Sequence, residues 1–225
     1  MNLKAMIFDC DGVIVDSEPT HFRAFEATLA DDQITLTFED YQERYLAMDD
    51  LGCFRAVFAD QNRSLDMRLL KTLMLEKKAR YAALSATTLR LYPDTVDFIH
   101  QARKRYRLAI ASGAFRAEIK AALALGDLQS CFEVIVSAQD VKRGKPDPEA
   151  YLTALDRLNR SGQHLPLQPH ECLVIEDSLH GVQSARAAGM ACVAVTHSYT
   201  RAQLEGHANR VVASLSELSV DALLT

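Results

Sequence analysis

Hydrophobic and polar positions along this chain keep two different rhythms. Near the start a short apolar run, Ala5-Met6-Ile7-Phe8, stands between Lys4 and a loop of acids and glycine, Asp9-Cys10-Asp11-Gly12-Val13-Ile14-Val15-Asp16. Such a run predicts a buried strand of a parallel sheet closed by a tight turn. Helical spacing then takes over in four stretches, Pro19–Leu29, Phe38–Leu46, Leu51–Ala59 and Leu65–Ala86, with no strand predicted between them. The last is the clearest, with Leu65, Leu69, Leu70, Leu73 and Met74 on one side and Glu76, Lys77, Lys78 and Arg80 crowding another.

Beyond Pro93 helix and strand alternate. Helices are predicted over Asp94–Arg105, Arg116–Leu125, Glu149–Leu158 and Val182–Ala188, the last ended by Gly189. Strands are predicted over Leu108–Ser112, Val134–Ser137, Cys172–Glu176, Cys192–Val195 and Arg210–Val212. The alternation predicts an α/β fold, a doubly wound parallel sheet covered on both faces. Residues 1–16 and 88–225 then form one α/β core, interrupted after its first strand by an all-α insertion, 17–87. The loop Ser161–Pro169 is polar and carries proline.

Composition narrows this picture. At 225 residues the chain is long enough for one substantial core with an inserted subdomain. Its 48% hydrophobic and 24% charged content is globular, and a net charge of −5 gives no reason to expect nucleic acid or an acidic membrane surface as partner. The basic cluster Arg103-Lys104-Arg105-Tyr106-Arg107 fits an exposed helix C-terminus, where cations suit the dipole. No apolar stretch reaches the length of a membrane span, and Asp9 interrupts any signal-like segment, so a cytoplasmic protein is expected. Five cysteines without C-x-x-C spacing suggest neither a disulfide framework nor a zinc site.

Every strand of a parallel sheet delivers its C-terminal end to one edge, where open α/β folds bind ligands. That edge receives Asp9 and Asp11, then Ser112-Gly113, then Lys145 from the loop Arg143-Gly144-Lys145-Pro146-Asp147-Pro148, then Glu176-Asp177-Ser178. Carboxylates beside a lysine and a hydroxyl make a cation site next to an anion site. The first suits Mg²⁺ and the second a phosphoryl group. Taken singly, the two acids also read as loop closure, Lys145 as a surface lysine and Ser112 as a helix N-cap. A calcium loop is excluded, because Val13 and Ile14 occupy the positions where a ligand and a glycine are required. Cys10 is set aside as a nucleophile, since its neighbours are acids and a thiolate needs a nearby cation.

Four motifs in order carry a resemblance: Asp9-Cys10-Asp11-Gly12-Val13, Ala111-Ser112-Gly113, Gly144-Lys145-Pro146-Asp147-Pro148, and Ile175-Glu176-Asp177-Ser178 with Gly181 and Ala188-Gly189-Met190. Together they resemble the haloacid dehalogenase-like phosphohydrolases, in particular those similar to β-phosphoglucomutase with a small helical cap. The resemblance covers essentially the whole chain. It implies that Asp9 is the nucleophile, forming an aspartyl-phosphate, and that Asp11 is the acid and base, with Ser112 and Lys145 steadying the transferring oxygens. It implies Mg²⁺ held by the Asp9 side chain, the Asp11 carbonyl and Asp177, with Glu176 a weaker or outer candidate. Ser17 and His21 align with residues that hinge the cap and touch the phosphate or proton relay, while Gly113 and one of Lys77 and Lys78 are further expected substrate contacts. His21 taken alone also reads as a polar residue on a first helical turn, and Lys77 as part of a solvated helix face.

The expected activity is a Mg²⁺-dependent phosphatase acting on a small phosphorylated metabolite, a sugar or polyol phosphate, with a sugar-phosphate mutase as the alternative. The expected assembly is a monomer or small homo-oligomer. Similar mutases grip a second phosphate with a lysine and an arginine, where this chain has Met48-Asp49-Asp50-Leu51-Gly52, whose acids are expected to repel it. Asp94 stands where relatives usually place glycine. A dehalogenase needs neither Asp11 nor metal, a phosphonate-cleaving relative would have a small residue in place of Asp11, and a non-catalytic sensor need keep only the binding groups.

Overall fold

The computed structural model describes residues 3–46, 48–161 and 165–223. Residues 162–164 of the polar loop expected over 161–169 lie outside them. The chain forms two compact units, Met1–Asp16 with Arg90–Thr225, and Ser17–Leu89.

The first unit is built on strand β1 (Ala5–Phe8), every residue of which is buried. Around it a six-stranded parallel sheet runs in the order β5-β4-β1-β6-β7-β8. The flanking strands are β4 (Arg107–Ala111), β5 (Val134–Val136), β6 (Cys172–Glu176), β7 (Ala191–Val195) and β8 (Arg210–Val212). Phe8 pairs in register with Ile110 on one side and Ile175 on the other, so Asp9 emerges between the ends of β4 and β6. Alternation along β1 sends Ile7 to a core shared with Tyr151, Ala154, Leu158, Val182 and Ala185, while Phe8 meets Phe98 and Phe132 edge-on from the opposite face. Residues of α7 (Glu149–Arg160) and α8 (Leu179–Ala187) supply the first of these layers. Phe98, on α5 (Pro93–Ala102), belongs to the second. On the same chain α6 (Arg116–Leu125) is capped by the Glu118 carboxylate, which accepts the Phe115 amide at 2.8 Å.

Helix α8 starts three residues earlier than the periodicity predicts, because the Ser178 hydroxyl accepts the Gly181 amide and caps it. Helix α5 ends at Ala102, sooner than expected, and the basic cluster is not one helix terminus: Arg103 donates to Cys131 Sγ, and Arg107 opens β4 and grips Glu133. Two short strands also went unpredicted. Val15–Asp16 (β2) pairs antiparallel with Arg90–Leu91 (β3), Val15 facing Leu91. Two residues per strand are too few to leave a period-2 signal. Asp94 accepts the Ser214 hydroxyl and the Leu215 amide, tying the start of α5 to the C-terminal region.

Among the described residues the second unit has helices and no strand, with α1 (Glu18–Asp31), α2 (Phe38–Asp40), α3 (Asp50–Asp60) and α4 (Met67–Thr88). Where one helix is predicted over Phe38–Leu46, the chain widens into a π-turn at Tyr41–Tyr45, whose two tyrosines are buried and donate to Glu18 and Asp60. Phe25, Leu29, Phe54, Phe58, Leu70 and Leu73 close its core.

Candidate active site

Asp9 is the first residue past β1, with its amide bound to the Ile175 carbonyl at 3.0 Å. The turn after it folds back on Cys10, whose carbonyl accepts the amides of Ile14 at 2.8 Å and Val15 at 3.1 Å. Gly12 makes that turn possible. Its φ of +71° suits a residue without Cβ, and a Cβ there would also strike the Asp177 carboxylate.

Lys145 Nζ lies 2.9 Å from Asp9 Oδ1 and 2.6 Å from Glu176 Oε1. The ammonium thus joins the ends of β1 and β6, with the Tyr151 ring 5.0 Å beneath it. Glu176 is fully buried and fully committed: Oε1 also accepts the Tyr151 hydroxyl at 2.7 Å, and Oε2 accepts the amides of Asp177 and Ser178 and the Ser178 hydroxyl. It anchors Lys145. Gly181 leaves room for it, since a Cβ at that position would run into the Glu176 carboxyl.

The electrostatics follow from burial. Burial pushes the Asp9 carboxyl up to about 7, with Lys145 pulling it down and Glu176 and Asp11 adding to the rise. Asp177 is driven well above the carboxylate range by burial and then by Glu176 and Asp9. For Glu176 burial acts in the same sense, yet Lys145 and the hydrogen bonds around it prevail and hold it low. Cys10 rises well above an ordinary thiol through burial and the neighbouring Asp11 and Asp9, the opposite of what a thiolate nucleophile requires.

Asp9, Glu176 and Asp177 each offer an oxygen, and these oxygens lie within 4.8 Å of one another. Hard carboxylate donors in this number suit Mg²⁺. Asp9 Oδ1 is buried and faces the Lys145 ammonium at 2.9 Å, so this carboxylate already stands in a site that favours positive charge. Because the Glu176 oxygens are already engaged, Asp9 and Asp177 are the better-placed ligands.

Ser112 follows β4, buried, its hydroxyl accepting the Ala114 amide at 3.1 Å and its own amide held by the Val136 carbonyl. Around Gly113 no atom would lie within 4 Å of an added Cβ, which leaves this backbone open. Asp11 is half-buried and bridges to Val15. One edge of the sheet therefore collects Asp9, Asp11, Ser112, Gly113, Lys145, Glu176 and Asp177.

The remaining sequence candidates belong to the helical unit. Ser17 is fully buried, and its hydroxyl has no hydrogen-bond partner. Lys77 is buried, not on a solvated face. Its ammonium donates to Asp50 at 2.6 Å and to His21 Nδ1 at 2.9 Å, and lies 4.5 Å from the centre of the Phe25 ring. His21 stacks on Tyr81, and burial together with Lys77 holds its pKa well below normal, so its Nδ1 accepts. Of the two acids expected to repel a second phosphate, Asp49 caps α3 by accepting the Gly52 amide, and Asp50 is paired with Lys77.

Sequence reasoning missed three residues of the core site: Tyr151, His197 and Ser198. Ser198 donates to Asp177 Oδ2, and His197 Nδ1 lies 2.7 Å from the Gly12 carbonyl. Both follow β7 directly, so the same sheet-edge rule that found Ser112 was enough to find them. Tyr151 was readable only as a core aromatic whose hydroxyl needs a partner.

A model of the haloacid dehalogenase-like hydrolases matches residues 3–189. The CbbY protein of Rhodobacter capsulatus is 33% identical over 233 aligned residues, covering 99% of this chain and 98% of that protein. A phosphorylated carbohydrates phosphatase of Thermotoga maritima is 31% identical over 200 residues, 87% of each. The crystal structure of a CbbY variant from Rhodobacter sphaeroides in complex with xylulose-(1,5)bisphosphate superposes with a TM-score of 0.81 at 27% identity, over 96% of both chains. With its strand-end acids and lysine in place and the family model spanning its sheet through Gly189, this chain belongs to the haloacid dehalogenase-like hydrolases.

Proposed function

We propose that the chain is a Mg²⁺-dependent phosphatase of a small phosphorylated carbohydrate, working through an aspartyl-phosphate on Asp9. The observation that carries this is the buried Asp9 carboxylate, paired with Lys145 at 2.9 Å and flanked by Asp177 and Glu176. An Asp9 oxygen attacks phosphorus while the bond to the substrate alcohol breaks, and Asp11 gives that oxygen its proton. Asp11 then takes a proton from water as the water attacks the aspartyl-phosphate, releasing phosphate and restoring Asp9. Lys145 neutralises charge on the transferring oxygens, and Ser112 with the open backbone at Gly113 binds them. Asp9, Asp177 and the Asp11 carbonyl would hold the Mg²⁺, which when bound offsets the repulsion between an anionic nucleophile and an anionic phosphate.

The carbohydrate class is supported by the names of two relatives, a phosphorylated carbohydrates phosphatase and a protein complexed with xylulose bisphosphate. Net hydrolysis is favoured over mutase action because Lys77, the buried cation of the helical unit, is already neutralised by Asp50. The test is incubation with Mg²⁺ and a panel of sugar mono- and bisphosphates. In the same series glucose 1-phosphate is followed with and without a bisphosphate primer, reading free phosphate and glucose 6-phosphate together. Phosphate release is expected to dominate, and primed glucose 6-phosphate outrunning it would establish the mutase instead.

A further inference from the structure

The geometry points to His197 and Ser198 as a positioning pair that holds the nucleophile loop and the Asp177 carboxylate in mutual register. We infer this from contacts that join the ends of three strands, and it rests on the phosphatase reading above.

Strand β7 runs parallel to β6, Glu176 facing Ala194, so the two chains leave the sheet at the same edge. The exit from β7 is fixed at once, because the Thr196 amide donates to the Val212 carbonyl at 3.0 Å. The next two side chains turn back to the site. His197 Nδ1 sits 2.7 Å from the Gly12 carbonyl, and a carbonyl can only accept, so the proton is on Nδ1. The imidazole cannot swing away easily: it lies flat on the Tyr92 ring, centroids 3.8 Å apart and planes 16° from parallel. Tyr92 is tied to the same loop through its amide, which donates to the Ile14 carbonyl at 3.1 Å. The turn carrying Asp9 and Asp11 is thus clamped from its far side.

Ser198 acts on the other partner. Its hydroxyl donates to Asp177 Oδ2, which fixes the rotation of that carboxylate and the direction of its second oxygen. The fit is tight at the same point, since a Cβ on Gly12 would strike Asp177 and lie 3.0 Å from Ser198 Oγ. Partners of this kind, one bond removed from a candidate ligand, commonly change metal affinity or activity by about 10- to 100-fold when removed.

Three variants separate positioning from mere structure. Ser198→Ala removes the hydroxyl, Ser198→Thr keeps it, and His197→Phe keeps the stack on Tyr92 while losing the donor. Mn²⁺ binding is read by electron paramagnetic resonance without substrate, and turnover of p-nitrophenyl phosphate is read in Mg²⁺. Ser198→Ala is expected to weaken Mn²⁺ binding about tenfold or more, with Ser198→Thr close to wild type. His197→Phe is expected to lower kcat about tenfold with KM and Mn²⁺ affinity little changed. Wild-type Mn²⁺ binding in Ser198→Ala, or wild-type kcat in His197→Phe, overturns the assignment. So does a fall in melting temperature with neither of those effects. If wild-type protein itself neither binds Mn²⁺ nor turns over the phosphate ester, the phosphatase reading fails first and takes this one with it.

Discussion

Replacing Lys145 by Met removes the ammonium that joins Asp9 and Glu176 while nearly keeping its volume. At 2.9 and 2.6 Å the two attractions are each worth about 6 kcal/mol at an effective dielectric of about 20. Most of that offsets the cost of burying the charges, and breaking a buried pair from one side costs about 3–5 kcal/mol. Part of this cost can be escaped by taking up protons. Without the lysine, Asp9 rises further above about 7, and Glu176, which Lys145 helps to hold low, rises as well. A carboxyl whose folded pKa exceeds its unfolded one loses stability as pH rises from the unfolded value through the folded one. The destabilisation of Lys145→Met should therefore be smaller at pH 5 than at pH 8. Urea unfolding at both pH values, with chelator present and with the slope checked for two-state behaviour, measures it. Turnover should fall by about 10²–10³, the usual cost of one preorganised group facing transition-state charge. Equal destabilisation at the two pH values, or a loss under about 1 kcal/mol at pH 8, would refute the reasoning, because the carboxylates would not then depend on this ammonium.

Asp9→Asn, nearly isosteric but unable to attack phosphorus, should abolish turnover with the melting temperature held or raised, and a tenth of wild-type activity in clean protein would remove Asp9 from its role. Excess chelator should abolish activity and Ca²⁺ should restore it poorly, since the larger ion takes more ligands in looser geometry; full activity in chelator contradicts the metal reading. At Asp140 burial would raise the pKa, but hydrogen bonds from Ser137, then Arg157 and Arg116, hold it well below the carboxylate range. The folded value is the lower one, so its stabilisation is complete above about pH 4, the unfolded value, and drains away as pH falls. Asp140→Asn should cost about 1–2 kcal/mol at pH 7, allowing for partly exposed arginines, and less at pH 3, as measured by urea midpoints.

What the sequence made legible was what rests on one strand at a time. Cys172–Glu176 and Arg210–Val212 were found to the residue, because apolar runs bounded by charges are local signals, and the parallel edge then brought Asp9, Ser112, Lys145 and Asp177 together. Contacts between side chains distant in sequence were not legible. Nothing in the pattern of Glu76-Lys77-Lys78 says that Lys77 turns inward to Asp50 while Leu75, on the same helix, is 70% exposed. Nor does spacing reveal that Glu176 spends both oxygens on neighbours, which is decided by Tyr151 and Ser178 together.

The paired dipeptides Val15–Asp16 and Arg90–Leu91 have a consequence for descent as well as for shape. Everything from Ser17 to Leu89 leaves and re-enters the chain across one rung of that ladder, so its two attachment points are neighbours. A segment with adjoining ends can be lengthened, exchanged or rebuilt as a cassette without moving a single strand of the sheet, because closing the gap it spans costs the host almost nothing. Selection could then rework the helical unit within one stretch of coding sequence while the strand-end acids and lysine, encoded on either side of it, stayed fixed.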